Sequence, residues 1–107
     1  MGIFGSIDNS VVDTTNWDEI MTRDYLGATT RADKLVVLRD WVNKNDEVLR
    51  ANPSLSDLER RRRLLTSRGW TINLLEEKNV PWEECLEAAS WVHHFVQTLN
   101  GKNRRIK

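Results

Sequence analysis

The chain has 107 residues, 39% apolar and 30% charged, with 16 basic residues against 16 acidic ones. That length gives one domain with a modest core, a size at which pairing with a second copy adds stability. The composition predicts a soluble chain: no apolar run approaches the roughly 20 residues of a membrane span, and the start lacks the cationic and long apolar regions of a secretory signal.

A single cysteine, Cys85, excludes an intrachain disulfide and suits a reducing, intracellular compartment. The two histidines, His93 and His94, are neighbours and diverge by about 100° on a helix, so neither a metal centre nor a cofactor is expected. The charge is neutral in sum but divided along the chain. Asp8, Asp13, Asp18, Glu19 and Asp24 face Arg23 alone in the first 30 residues, whereas Arg60–Arg63 and Lys102, Arg104, Arg105 and Lys107 form basic blocks. A local basic face on a neutral protein is enough to attract polyanions.

Taken in order, residues 1–28 are expected to form an N-terminal arm with one short helix. The first 14 residues, with Gly2, Gly5, Ser6 and Asn9, have no sustained period. Gly2 followed by Ser6 fits the loose N-myristoylation pattern, but no basic cluster follows to supply a second membrane signal, so a membrane partner is expected only if Gly2 is acylated. Trp17 to Leu26 reads as a helix capped by Thr15 or Asn16, with Gly27 as a left-handed stop and Trp17, Ile20 and Met21 on a docking side.

Residues 29–101 are expected to hold the main helical domain. Thr29 or Thr30 starts a helix from Arg31 to about Arg50, its apolar stripe made by Leu35, Val36, Leu38, Val42 and Leu49 beside Trp41. Asn43 to Asp46 is a polar weak point in it, and Pro53 separates it from the next element. Gly69 reads as the stop of the arginine-rich helix before it, and beyond it Thr71 begins a brief turn of helix ending near Lys78 and Asn79. The last helix starts at Pro81 with Glu83 and Glu84 in its first turn and stops at Asn100–Gly101. Its stripe is Trp82, Cys85, Ala88 or Ala89, Val92, Phe95 or Val96, and Leu99. Residues 102–107 form a basic tail. With no strand alternation, repeat or phosphate loop, the fold class is all-α, a small bundle of four or five helices.

The densest signal is Leu55 to Gly69, with five arginines among Arg60–Arg63 and Arg68. If Leu55, Leu58 and Leu65 mark the inward side of this helix, Arg60 and Arg63 lie opposite, flanked by Ser56 and Ser67, while Arg61 and Arg62 sit at the margins. Such a stripe suits phosphates; a solvated face with ion pairs to Asp57 and Glu59 is the plain alternative. No nucleophile, base and orienting group is legible together, Cys85 sits on an apolar stripe, and no enzyme activity is expected.

Leu58, Arg60, Arg63, Leu65, Arg68-Gly69 and Thr71, with Pro53 upstream, resemble the N-terminal RNA-binding domain of the influenza virus non-structural protein one, over about Thr30 to Thr71. The resemblance implies a symmetric six-helix homodimer whose paired second helices lie across duplex RNA, with Arg60, Arg63, Arg68 and Thr71 near the RNA backbone. Ser67 is a neighbouring neutral donor and Arg62 a flanking cation, which completes the expected RNA contacts. The resemblance also implies an ion pair between Asp57 and Lys34, with its charges exchanged relative to the family, and Leu64 replaces a polar contact.

The function expected on this basis is sequence-independent binding of double-stranded RNA. The resemblance adds sequestration of viral RNA from host defence, in host cytoplasm or nucleus. Two other readings stand beside it. One is a helical protein-interaction module whose acidic and basic parts join like modules, with some of the five tryptophans as anchors. The other is a matrix-like protein that meets anionic lipid.

Overall fold

A computed structural model describes residues 15–105, and side chains over residues 16–100. Five helices occur among the described residues and no strand: α1 Thr15–Gly27, α2 Arg31–Arg50, α3 Asp57–Leu65, α4 Ser67–Glu77 and α5 Trp82–Arg105. The all-α bundle is as the sequence predicts. The arm's first 14 residues, including the Gly2 pattern, lie outside the described residues, as do the side chains of the basic tail.

Local chemistry accounts for most of the boundaries. Thr30 caps α2 by accepting a hydrogen bond from the Asp33 amide, and Ser56 caps α3 by accepting from the Glu59 amide. α2 ends at Arg50, ahead of Pro53. α4 ends at an asparagine: Asn79 has φ 66°, and the Val80 and Asn79 amides donate back to the Leu75 and Glu76 carbonyls. This is the left-handed C-terminal motif, with Val80 and Leu75 both buried beneath it. α5 follows Pro81, whose carbonyl accepts from the Cys85 amide; Glu83 and Glu84 stand in the first turn.

Three boundaries differ from expectation. Gly27 and Gly69 are not left-handed stops, for no described glycine has positive φ. Gly69 lies inside α4, and a Cβ placed on it would meet nothing within 4 Å. α5 runs through Asn100–Gly101 to Arg105. The polar stretch Asn43 to Asp46 does not interrupt α2, because Asn45 and Asp46 are themselves buried and partly paired.

α1 and α2 form one hairpin and α4 and α5 another, with α2 lying against α5. The core at their junction contains Met21 and Tyr25 from α1, Leu38, Trp41, Val42 and Leu49 from α2, Leu64 and Leu75, and Cys85, Ala88, Val92 and Val96 from α5. α1 is therefore part of the bundle and not an appendage. Trp41 Nε1 donates to Asp18 at 2.9 Å, tying α2 to α1. Complete burial of a Val or Leu side chain contributes about 1.5–3 kcal/mol, and Val42, Leu64, Leu75 and Val92 all reach it.

Candidate functional site

α3 and α4 are separated only by Thr66, whose own angles are near-helical (φ −70°, ψ −13°). Its amide donates to Arg63, one residue short of the α-helical partner, and its carbonyl accepts from Trp70. The helical period therefore runs on across the joint. Arg60, Leu64, Ser67, Thr71 and Leu75 then fall within about 80° of one another around the axis, and all five are buried.

This reverses the expected orientation of the arginine helix by about half a turn. Arg60, expected outward, is 5% exposed. Its Nη1 donates to Asp46 and its Nη2 to Asp57, each at 2.7 Å. Asp46 also accepts from Arg50 Nε at 2.7 Å. A buried guanidinium persists only when paired and hydrogen-bonded in this way. Ser67 and Thr71 are interior as well; the Thr71 hydroxyl donates to the Ser67 carbonyl at 2.8 Å, so it enters the core without an unmet donor. Their small size lets α4 lie close to α5, which presents Cys85, Ala88 and Ala89 in its buried stripe.

Leu58 and Leu65, expected in the core, are 61% and 43% exposed. Leu64 takes the inward place between them. Arg62, Arg63 and Arg68 are exposed. Arg63 Nε donates to Glu59 at 3.3 Å and Arg61 pairs with Asp57 at 3.0 Å, whereas Arg62 and Arg68 have no ion pair among the described residues. Of the six expected RNA contacts, then, Arg62, Arg63 and Arg68 share the surface, and Arg60, Ser67 and Thr71 do not.

The outward face of α3–α4 thus carries Leu58, Arg62, Leu65 and Gly69 within about 60° around the axis, with the exposed Arg68 about 60° to one side of it. It is an apolar strip with a cation in its middle. Asp57, in the first turn of α3 on the side of Arg60, is held below the ordinary carboxylate range, first by its hydrogen bond from Arg60 and then by the nearby Arg61 charge.

A second concave region, a groove of about 470 Å³, lies between α1, α2 and α5. Glu83 lines one edge of it, and its central polar groups pair with one another. Tyr25 Oη donates to Glu84 at 2.7 Å, and Lys34 Nζ donates to the same oxygen at 3.0 Å. Arg31 donates to Glu87 and lies 5.8 Å from the Trp91 ring centre. Burial, then the bond to Glu84, pushes the Tyr25 phenol well up, while Tyr25 first and Lys34 second hold Glu84 down. Lys34 is therefore paired across to α5, and the expected pair of Lys34 with Asp57 does not form.

Trp82, expected on the buried stripe of α5, is 53% exposed beside exposed Leu86. Trp70 is exposed too, Trp41 is buried, and Trp17 and Trp91 pack partly buried against the core. His94 stacks edge-on to Trp91 at 5.8 Å. Among the described residues no group of three or more His, Cys, Asp or Glu is placed to hold a metal ion, and no helix is long and apolar enough to cross a membrane.

Comparison with protein-family models, with curated proteins and with solved structures finds no match, so nothing there links the chain to the influenza non-structural protein or to another family.

Proposed function

We propose that the protein is a helical protein-interaction module, and that the outward face of α3–α4 docks an acidic, apolar helical surface of its partner. One observation carries this reading: Leu58 and Leu65 stand exposed seven residues apart, and between them Arg62 has no ion pair among the described residues. Residues seven apart share one side of a helix and form the seam along which a second helix packs. Covering the exposed part of each leucine contributes about 1–2 kcal/mol, and Arg62 and Arg68 select an acidic partner and set its register.

Duplex RNA is the competing ligand. It would meet Arg62, Arg63 and Arg68, but phosphates and riboses leave Leu58 and Leu65 uncovered, and half of the expected donors are turned inward. The deciding experiment titrates the protein into a labelled acidic amphipathic peptide with leucines seven residues apart, and separately into a labelled short RNA duplex, following fluorescence anisotropy. The peptide binds, and the double variant Leu58→Ser/Leu65→Ser weakens it about tenfold or more. Tight binding of the duplex that survives this variant contradicts the reading and restores the polyanion one.

A further inference from the structure

The α4–α5 hairpin presents a second exposed apolar patch of opposite charge. Trp82 and Leu86 are one turn apart on α5 and exposed, with exposed Glu83 beside them and exposed Glu76 and Glu77 at the adjoining end of α4. Lys78 is the cation in the connecting turn. None of these three glutamates has an ion pair among the described residues. From Arg62 to Glu77 the helices rise up to about 22 Å, so the basic and acidic patches occupy opposite ends of the α3–α4 stretch.

We infer that the surface docking on Leu58–Arg62–Leu65 is the Trp82–Glu83–Leu86 patch of a second copy, so that copies join head to tail; this rests on the docking role proposed above for the α3–α4 face. Each patch offers what the other lacks: two exposed leucines around a cation on one, a tryptophan and a leucine beside an anion on the other. Pairing the basic face with itself is disfavoured. A twofold axis through the centre of that face sets Arg62 against its own copy, a like-charge contact with no acid of the face to relieve it. A heterologous contact uses both patches and leaves one of each free on the resulting dimer, so assembly continues beyond two copies unless the ring closes.

The test is sedimentation velocity on the full chain over a wide concentration range, with Arg62→Glu and Glu83→Arg as variants. Both positions are exposed, and circular dichroism verifies that the variants fold. The wild type grows past the dimer with concentration, and each variant alone weakens association about tenfold or more. An equimolar mixture of the two variants restores opposite charges at both kinds of junction, the native one and the exchanged one, and recovers the growth that neither variant shows alone. The double variant Arg62→Glu/Glu83→Arg, with charges exchanged, recovers growth. A wild type that stays monomeric, or a closed dimer indifferent to both substitutions, overturns the inference. In either case the peptide titration above still scores the docking role of the α3–α4 face by itself.

Discussion

Arg60 Nη1 and Asp46 Oδ1 meet 2.7 Å apart inside the bundle, joining α3 to α2 across 14 residues of sequence. The arginine that looks most available for a polyanion is thus committed to the fold. Removing one partner of a buried ion pair costs about 3–5 kcal/mol, a large part of the roughly 5–15 kcal/mol available to a domain of this size. Since Asp57 lies at the surface, the lower end applies. Arg60→Ala is expected to lose about 3 kcal/mol in urea denaturation, and Arg60→Met with Asp46→Leu to regain much of it. An Arg60→Ala protein as stable as the wild type would contradict this placement.

The burial of Arg60 also explains where the sequence misleads. The helices, Thr30 as a cap, the break at Pro53 and the start after Pro81 are all legible, because each depends on residues within one turn. The facing of α3 is not. Leu58 and Leu65 look like inward markers, while the neutralising partner of Arg60 lies on another helix and leaves no local period. One signal was present: Arg60, Leu64, Ser67, Thr71 and Leu75 repeat at helical spacing if the helix continues through Gly69. Reading Gly69 as a stop hides that repeat, and with it the outward strip on which the proposed docking depends.

Gly69 supplies a direct check. It sits in a helix with open space where a Cβ would stand, so Gly69→Ala is expected to stabilise the protein by about 0.5–1 kcal/mol, read as a higher urea midpoint. A left-handed glycine at this position would give destabilisation instead.

Acid weakens the fold through two carboxylates. Glu84 is held low by Tyr25 and then Lys34, and Asp57 by Arg60 and then Arg61. A carboxylate with a lowered folded-state pKa adds stability above its unfolded pKa and loses it as pH falls through the folded value. Denaturation midpoints are therefore expected to drop below the ordinary carboxylate range. Tyr25→Phe removes about 1 kcal/mol at neutral pH and flattens the Glu84 part of the acid loss. Tyr25 itself, raised from about 10, adds stability below that pH and loses it as the solution becomes more alkaline.

Cys85 is buried, with its thiol donating to the Val80 carbonyl at 3.5 Å. Burial, followed by the nearby Glu76 and Glu84 charges, pushes its pKa up, which lowers the thiolate fraction available for reaction. A chromogenic disulfide reagent is expected to label it at the rate of unfolding and quickly in denaturant. Immediate labelling of the native protein would contradict its place in the core.

The central claim is that the outward face of α3–α4 meets protein. Backbone amide NMR during titration with the acidic amphipathic peptide and, separately, with a short RNA duplex tests it most directly. The account predicts peptide-induced shifts centred on Leu58, Arg62, Leu65 and Gly69, lost in Leu58→Ser/Leu65→Ser, with duplex shifts weak and removed by salt. Strong duplex shifts centred on Arg62, Arg63 and Arg68, with no response to the peptide, would contradict it.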